Sequence, residues 1–487
     1  MNKIKVTIVG AGTAGIIAAS YLKSLYKNNI DITLIYNHKN PVIGVGESTT
    51  PLINNFLDFI GITKEELIKE CGTTIKLGIK FKNWLGDNKH YYHNFRCFND
   101  KNFNDDNNFI AAYEISKESY DGGINYGKYL PDNNRVPNYK DFNCAIHIDS
   151  YQFGRYIENK FKNEFKIIDS NVIDVKVEKD NIKEITIKNG EKIISDFYID
   201  ASGFSKILIS KLKSNWISKK DLLPIDSAIT CSVYRDTEEI NPYTLAEASD
   251  DGWIWKIPLI HRDGIGYLFS SIYSEEEKCF DKFERWLKSN CKNNHTSFKK
   301  ITFNTGYFKN SWVGNCLSIG LSSGFVEPLE STSIHTAIAQ IMNFSSVNIF
   351  SYTFDDIIKY NKKVEKIFEN IYYFIRLHYH TGREDSEFWN FMKKNTPDFL
   401  KDLEYGMKIK FLNNKDLENK EVFDIFCYNE VFNGINLNYS KDVCEKYIEE
   451  SNFLTKIKSE YSKICSYKKN INKNSIKHSE YLNFYCN

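Results

Sequence analysis

Hydrophobic positions change their spacing twice within the first 36 residues of the chain. Lys5–Val9 and Asp31–Tyr36 are short apolar runs, which are typical of buried strands. Between them, an Ala-rich stretch through Leu25 carries its apolar residues at helical intervals. A strand, a helix and a second strand in this order predict the opening unit of a doubly wound α/β fold.

The same spacings predict most of the remaining elements. We expect helices at Pro51–Cys71, Asp149–Phe165 and Thr332–Ile349. We expect strands at Lys76–Trp84, Val172–Val177, Ile182–Ile187, Tyr198–Asp200 and Cys316–Gly320, with a hairpin turn at Asn189-Gly190. Residues 225–315 alternate between apolar and polar positions, as expected for an antiparallel sheet on the substrate side. Residues 86–145 show no regular hydrophobic spacing. From Asp355 the pattern is mostly helical, and it ends in a polar tail after Tyr467. We therefore predict a core over residues 1–350 and a helical C-terminal region over residues 351–487.

Composition narrows the class of protein. The 487 residues are 42% hydrophobic and 15% aromatic, which is ample for a folded core. Sixty-four basic and sixty-three acidic residues leave a net charge of +1, which favours neither a nucleic acid nor an anionic membrane as partner. The sequence lacks a signal-peptide pattern and any apolar run near the ~20 residues that span a bilayer. Eleven cysteines without a C-x-x-C pair favour reduced thiols over disulfides or a metal site. These features predict a soluble cytoplasmic protein.

The first candidate site is a glycine loop between the first strand and the first helix. It consists of Gly10, Ala11, Gly12, Thr13, Ala14 and Gly15. The first glycine permits a tight turn, the second lets the backbone approach a pyrophosphate, and the third lets the helix pack on the strand. Tyr36-Asn37 stand where NAD-binding folds carry a carboxylate, so the loop predicts a dinucleotide other than NAD.

Two further turns favour FAD as that dinucleotide. One is a second glycine turn before a helix, Gly44–Pro51, in which the candidate contacts are Gly46, Glu47 and Ser48. The other ends a strand and contains Asp200 and Gly203. Either turn alone is more often structural. Three in this order predict an FAD-binding fold of the glutathione-reductase-like, flavin monooxygenase type.

Two motifs carry a resemblance to a known family. The first is Trp253-Ile-Trp255-Lys-Ile-Pro258, and the second is E-P-L-E-S-T at Glu327–Thr332. Taken alone, two tryptophans on one strand face are usually core residues. The second motif also reads as a capping box at the start of a helix. Together the two motifs make the chain resemble the flavin-dependent halogenases along nearly its whole length.

The resemblance assigns roles around the second motif. A helix N-terminus offers backbone N–H groups and the positive end of the helix dipole to an anion. Chloride or bromide is therefore expected at the backbone of Thr332 and Ser333. Glu330 is expected as the acid–base group, and Ser331 as the link between the flavin side and the substrate side. The residues of this segment expected at the flavin are Gly320 and Phe325.

The family also needs a lysine, and the resemblance places it at Lys76. Strand alternation predicts Lys76 and Lys80 on one face, so spacing alone leaves the choice between them open. An ammonium group at this position can polarise hypohalous acid through a hydrogen bond. A neutral amine can instead form a haloamine. Both routes guide a small oxidant to the substrate.

The substrate side is implied by the same resemblance. His93 and Phe95 are expected against a flat, electron-rich ring. The wall between flavin and substrate is assigned to Trp253, Trp255 and Pro258. Two departures bear on the substrate: Glu421–Gly434 lacks the Trp-Asn pair of tryptophan-specific members, and Ser333-Ile-His335 replaces the more frequent Gly-Ile-Tyr. An indole-like substrate is expected, with free tryptophan left open.

The resemblance thus implies a two-component halogenase. FADH2 from a separate NADH-dependent flavin reductase would react with O2 to form a C4a-hydroperoxide, which oxidises the halide to hypohalous acid. The acid would then halogenate the aromatic ring with Glu330 assisting. An FAD-dependent aromatic hydroxylase of the same fold and a non-catalytic FAD-binding protein are the alternatives. Homo-oligomerisation also stays open.

Overall fold

A computed structural model describes residues 3–39, 46–96, 125–139, 142–235, 239–449, 462 and 465–486. Gly44 and Val45 of the second glycine turn lie outside these ranges, as do parts of the segment 86–145. In the described ranges, no helix has the length and apolar character needed to cross a membrane. The same residues contain no group of three His, Cys, Asp or Glu side chains placed to hold a metal ion.

The elements are labelled here in chain order within the described residues. The strands are β1 Ile4–Val9, β2 Ile30–Tyr36, β3 Glu47–Ser48, β4 Thr74–Lys76, β5 Gly78–Lys82, β6 His90–Asn94, β7 Arg135–Pro137, β8 Ala145–Ile148, β9 Phe165–Asp169, β10 Val172–Glu178, β11 Asn181–Ile187, β12 Lys192–Ile193, β13 Phe197–Asp200, β14 Trp216–Ser218, β15 Ser227–Tyr234, β16 Tyr243–Ala248, β17 Gly252–Pro258, β18 Arg262–Phe269, β19 Lys299–Thr302, β20 Gly306–Phe308, β21 Trp312–Val313, β22 Cys316–Ser318, β23 Gly324–Phe325 and β24 Ser475–Lys477. The α-helices are α1 Thr13–Tyr26, α2 Leu52–Ile60, α3 Lys64–Cys71, α4 Tyr129–Asp132, α5 Ser150–Lys160, α6 Glu276–Asn290, α7 Thr332–Ser345, α8 Phe354–His378, α9 Glu387–Lys394, α10 Asp398–Gly406, α11 Ile425–Gly434, α12 Lys441–Glu449 and α13 His478–Cys486.

The first of two compact units comprises Met1–Thr73, Ile146–Asp221 and Thr302–Phe368. Its main sheet has the strand order β21-β22-β13-β1-β2-β9, and every pairing except that of β21 with β22 is parallel. The predicted opening unit is confirmed as β1, α1 and β2. Val9 pairs with Asp200, so the glycine loop and the turn after Asp200 leave the same edge of the sheet.

The second unit comprises Thr74–Ala145, Leu222–Ile301 and Glu369–Asn487. Its sheet has the order β19-β15-β18-β17-β16-β5-β6. Strands β15 to β18 pair antiparallel, which confirms the antiparallel prediction for Ser227–Phe269 but not for the whole of residues 225–315, since β20 and β21 belong to other sheets; β16 and β5 are parallel. Each unit consists of three separate segments, so neither coincides with residues 1–350 or 351–487.

Several predicted elements differ in detail from the observed ones. The helix expected over Pro51–Cys71 is two helices, because Gly61 adopts a left-handed conformation with φ +69° between them. Helix α6 interrupts the predicted antiparallel region and buries Cys279, Phe283 and Leu287 on one face. The polar tail after Tyr467 contains β24 and α13. The Asn189-Gly190 turn is confirmed between β11 and β12.

Gly78 begins β5 where this strand closely approaches β6. A Cβ atom at Gly78 would lie 2.5 Å from Asn94 Cα and 2.5 Å from the His93 carbonyl oxygen. Gly78→Ala therefore forces the two strands apart. We expect it to lower the free energy of unfolding by about 1–3 kcal/mol, measured by chemical denaturation.

Gly154→Ala is the matched control. Gly154 lies within α5, and a Cβ atom there would meet nothing within 4 Å. Because alanine is favoured over glycine inside a helix by ~0.5–1 kcal/mol, this variant should be more stable than the wild type. Equal changes in the two variants would contradict the close approach of β5 to β6.

Candidate active site

The glycine loop of the first unit has room for a phosphate group. A Cβ atom at Gly10 would lie 2.2 Å from the Ala201 carbonyl oxygen, and one at Gly15 would lie 1.9 Å from the Gly10 carbonyl oxygen. At Gly12, a Cβ atom would meet nothing within 4 Å. Gly12 is the N-cap of α1, which has neither a side-chain cap nor an acidic residue in its first turn. This open cradle at a helix N-terminus fits a pyrophosphate.

Glu47 connects the second glycine turn to this loop. Thr13 Oγ1 donates a hydrogen bond to Glu47 Oε2 at 3.2 Å. Burial raises the pKa of Glu47 to about 7, although the Thr13 hydrogen bond acts in the opposite direction. The carboxyl group is therefore partly protonated at neutral pH. This reduces its repulsion of a dinucleotide phosphate.

Asp200 is buried and shapes the turn that follows β13. Its Oδ1 accepts hydrogen bonds from the backbone N–H of Ser202 at 3.0 Å and from Ser202 Oγ at 2.6 Å. Its Oδ2 accepts from the backbone N–H groups of Leu208 at 2.7 Å and Ile209 at 2.8 Å. Both oxygens thus hold the turn, and a direct contact of Asp200 with a cofactor stays a prediction.

Three of the predicted flavin contacts lie close together. A Cβ atom at Gly320 would lie 2.8 Å from the Ala14 Cβ, and Ser322 Oγ donates to the Gly203 carbonyl oxygen at 3.2 Å. Gly320 has φ +58°, and its N–H donates to Gln340 Oε1 at 2.8 Å. The glycine loop, the turn after Asp200 and the segment after β22 therefore meet in the first unit.

Two carboxylates that the sequence pattern missed lie at the end of β2. Tyr36 Oη donates to Glu158 Oε2 at 2.9 Å, and the His38 backbone N–H donates to Asp169 Oδ1 at 3.0 Å. Glu158 comes from α5 and Asp169 from the end of β9. A search limited to β2 could not find them, because parallel strands bring residues together from distant parts of the chain.

The E-P-L-E-S-T segment forms a turn followed by α7. Ser331 has φ +61° and is the N-cap of α7, but its side chain makes no cap hydrogen bond. Ser331 Oγ donates instead to Ser48 Oγ at 3.0 Å, in the second glycine turn. The predicted capping box is therefore wrong. Glu330 and Thr332 are buried, and no side-chain cap occupies the first turn of α7.

His335 makes a second link between α7 and the second glycine turn. The Thr50 hydroxyl and His335 Nδ1 are 2.7 Å apart. Burial lowers the pKa of His335 to about 4, so the imidazole is neutral at physiological pH. In the sequence, His335 was noticeable only because Ser333-Ile-His335 replaces Gly-Ile-Tyr. That difference did not indicate Thr50 as its hydrogen-bond partner.

In the second unit, burial distinguishes the two candidate lysines. Lys76 ends β4 and is 0% exposed, and its Nζ lies 5.3 Å from the centroid of the Phe95 ring. Lys80 lies in β5, is partly exposed and pairs with Asp132 at 3.5 Å. The predicted single strand breaks at Leu77, so the expectation that both lysines share one strand face is wrong.

The tryptophan motif lies on β17 of the same unit. The rings of Trp253 and Trp255 are 6.2 Å apart, and Trp255 covers Gly266, where a Cβ atom would lie 2.0 Å from the indole. Among the described residues, the buried indole N–H of Trp253 has no hydrogen-bond acceptor. The Pro258 carbonyl oxygen accepts a hydrogen bond from Thr74 Oγ1 at 2.6 Å. The motif is thereby tied to the strand that carries Lys76.

Aromatic rings lie next to His93 in the second unit. The His93 ring lies 5.2 Å from Phe374 and 6.1 Å from Phe423. Helix α11 packs on β6 and contributes Glu430, which accepts a hydrogen bond from Asn125. Burial raises the pKa of Glu430 to about 7, against the opposing effects of His93 and Lys468. Glu430 was missed because its segment lacked the expected Trp-Asn pair.

These features define an α/β flavoprotein fold with a buried lysine in its second unit, and known proteins share it. A family model described as tryptophan halogenase matches residues 5–441. The chain is 31% identical over 428 residues to tryptophan 7-halogenase RebH of Lentzea aerocolonigenes, covering 80% of this chain and 79% of that protein. The structure of tryptophan 6-halogenase SttH from Streptomyces toxytricini aligns with a TM-score of 0.87 and 26% identity over 100% of both chains. Tar14, a tryptophan C-6 flavin-dependent halogenase (chlorinase) from taromycin biosynthesis, aligns with a TM-score of 0.85 and 28% identity, covering 99% of this chain and 100% of that chain.

The chain therefore belongs to the tryptophan halogenase family. It is an enzyme of the flavin-dependent halogenase class, and the family implies FAD as its cofactor. The comparisons do not favour the alternative of an aromatic hydroxylase.

Glu47 makes the stability of the protein depend on pH. Its folded-state pKa of about 7 lies above the usual value of 4.5, so this group stabilises the fold below pH 4.5, and the contribution is lost as the pH rises through 7. We expect the unfolding temperature of the FAD-free protein to fall more steeply from about pH 5 to pH 8 in the wild type than in Glu47→Gln. Glu70→Gln, at an exposed position on α3, is the control and should follow the wild-type curve. Parallel curves for all three proteins would contradict the raised pKa of Glu47.

Proposed function

We propose that this enzyme uses FADH2 from a separate flavin reductase, O2 and chloride or bromide to halogenate an electron-rich, indole-like ring. The observation that carries the proposal is the burial of Lys76 on a strand hydrogen-bonded to the tryptophan motif. A solvated surface lysine, the usual state of this residue type, would need no such environment. The family match supports the same reaction class.

The first unit would hold the cofactor and the halide. The open cradle at Gly12 would take the pyrophosphate of FAD, and the turns at Gly46–Ser48 and Gly203 would contact the rest of the cofactor. When bound, reduced FAD would activate O2, and the activated oxygen would be the two-electron oxidant that converts halide to hypohalous acid. The first turn of α7, at Thr332 and Ser333, would bind the halide through backbone N–H groups, which no side-chain cap occupies.

The Ser331–Ser48 hydrogen bond supports a second role for the turn before α7, which is to fix the halide relative to the flavin. It joins the proposed halide turn to the proposed flavin turn at 3.0 Å, so the two ligands would be held in a fixed relation. Hydrogen bonds that lock a binding turn in this way reduce the reorganisation needed during reaction. His335 adds to this link through Thr50.

Lys76 and Glu330 would share the chemistry on the organic substrate. Lys76 would bind hypohalous acid and polarise its oxygen–halogen bond. The ring then gains the halogen and loses a proton, and the oxygen of the acid leaves as water. Glu330 would stabilise the cationic ring and accept that proton. The apolar side chains of Trp253 and Trp255 would keep bulk water and competing reactions out.

The substrate ring would lie against His93 and its aromatic neighbours. Phe374 and Phe423 supply flat faces suited to an indole, and the relatives named above act on tryptophan. Glu430, with its raised pKa, adds a carboxyl group near this wall. This group would discriminate between substrates that offer a hydrogen-bond partner there and those that do not.

The reaction itself can be tested directly. The protein would be incubated with a flavin reductase, FAD, NADH and either bromide or chloride across a panel of indoles and phenols, and products read by mass spectrometry. We expect halogenated indoles, and no product when halide is omitted. Hydroxylated product without halide would favour a monooxygenase, and no halogenated product from any substrate would overturn the proposal.

The role of Lys76 can be tested with a lysine from the same chain segment as control. We expect Lys76→Met to lower halogenated product by about 100-fold or more, since the group that binds and polarises hypohalous acid is lost. FAD binding, measured by flavin fluorescence, should be unchanged. Lys80→Met should retain product, because Lys80 is partly exposed and paired with Asp132. Equal losses in both variants would contradict the choice of Lys76.

A further inference from the structure

Strand β4, which ends at Lys76, lies just before the parallel ladder that β5 forms with β16. In that ladder, Gly78 pairs with Tyr243. The Leu77 N–H still donates directly to the Pro242 carbonyl oxygen at 2.7 Å. The same register, carried back three residues from both Gly78 and Tyr243, places Ile75 opposite Ile240. A direct backbone hydrogen bond between Ile75 and Ile240 would be the next rung.

A histidine side chain fills this next rung instead. The Ile75 N–H donates to His478 Nε2 at 3.1 Å. His478 Nδ1 lies 3.1 Å from the Ile240 carbonyl oxygen. The imidazole therefore stands between the two backbones and bridges them, with one nitrogen facing each strand. Ile75 precedes Lys76 directly in the chain.

Only one neutral tautomer satisfies both hydrogen bonds. Nε2 must carry a lone pair for the Ile75 N–H, so the proton must be on Nδ1, where it is donated to Ile240. An imidazolium would present an N–H to the Ile75 N–H. His478 is 0% exposed, and burial lowers its pKa to about 3, with the Ile240 hydrogen bond acting in the opposite direction. The bridge is therefore intact at physiological pH.

The C-terminal segment that provides His478 is itself anchored in the second unit. Strand β24 pairs antiparallel with β7, and Lys477 Nζ donates to the Asn133 carbonyl oxygen at 3.0 Å. The His478 backbone N–H donates to the Asn134 carbonyl oxygen at 2.8 Å. His478 lies beyond residue 441, where the match to the family model ends. The bridge is thus supplied by a part of the chain that the family match does not cover.

We propose that His478 is a positioning residue for Lys76, acting through the hydrogen bond that its imidazole accepts from the Ile75 N–H. The inserted ring separates β4 from the ladder and sets the position of the Lys76 backbone, while Thr74 and Leu77 are held by Pro258 and Pro242. Loss of the acceptor leaves the Ile75 N–H buried without a partner, and the strand shifts to recover one. This inference rests on the proposed role of Lys76 in guiding hypohalous acid.

Two amide variants test the two ring nitrogens of His478 separately. The amide of glutamine reaches the place of Nε2, so His478→Gln keeps an acceptor for the Ile75 N–H. The shorter asparagine reaches only the place of Nδ1, so His478→Asn keeps the Ile240 hydrogen bond and loses the Ile75 acceptor. Both replacements are neutral and polar. His261→Asn, at an exposed position of the same unit, is the surface control.

The activity test compares halogenated product with hypohalous acid formed, the latter measured with a small trapping reagent in the absence of organic substrate. We expect His478→Asn to lower product per hypohalous acid by about 10-fold or more, because small misplacements of a reacting group are costly. His478→Gln should stay within about 3-fold of the wild type. FAD affinity and hypohalous acid formation should be unchanged in both. A wild-type ratio in His478→Asn, or an equal loss in both variants, would overturn the proposal.

A second measurement does not require activity. Lys76 and Lys80 are modified with an amine-reactive reagent, and the rate at each lysine is followed by peptide mass spectrometry. We expect the rate ratio of Lys76 to Lys80 to change by about 3-fold or more in His478→Asn and to stay near the wild-type value in His478→Gln. An unchanged ratio in His478→Asn would overturn the positioning role. If the wild type halogenates nothing, the proposed function fails, and this ratio still decides the role of His478.

Discussion

Burying a lysine side chain costs free energy unless the surrounding rings and backbone replace the lost water. Lys76 is 0% exposed, and the residues around it are arranged accordingly. The Phe95 ring lies 5.3 Å from its Nζ, and the Phe95 N–H donates to the Leu77 carbonyl oxygen at 2.8 Å. Residues on both sides of Lys76 are hydrogen-bonded to other segments of the second unit. A side chain whose neighbouring backbone is held this way has few positions open to it.

In the first unit, polar side chains fix the backbone of the turns. Asp200 and Ser331 would be assigned to a ligand or a cap from sequence, yet both are used to fix turns. At the N-termini of α1 and α7, the described residues show no side-chain cap, and we propose that the first-turn N–H groups there bind anions. A fixed backbone dipole needs no reorganisation when a charge arrives, which suits phosphate and halide binding. The proposed cofactor and halide sites thus depend on side chains that need not touch either ligand.

Substrate choice is proposed to depend on the second unit. His93, Phe374 and Phe423 form an aromatic wall, and Glu430 adds a half-buried carboxyl group whose pKa desolvation raises to about 7. An aromatic wall accepts many flat rings, whereas a desolvated carboxyl group rejects ligands that leave it without a partner. Glu421–Gly434 lacks the Trp-Asn pair, and the choice between free tryptophan and another indole-like substrate stays open.

The sequence by itself determined the doubly wound opening, the glycine loop, the antiparallel region and the family, because these depend on local spacing and on contiguous motifs. It could not separate Lys76 from Lys80, since strand alternation treats both alike, and it wrongly predicted a capping box at Ser331. Only the tertiary structure showed that the direct ladder ends with the Leu77–Pro242 hydrogen bond, that Ser331 binds Ser48 and that His478 completes the next rung at Ile75. Each of these contacts joins residues far apart in the chain, and which side chain meets which backbone group is decided by packing rather than by periodicity.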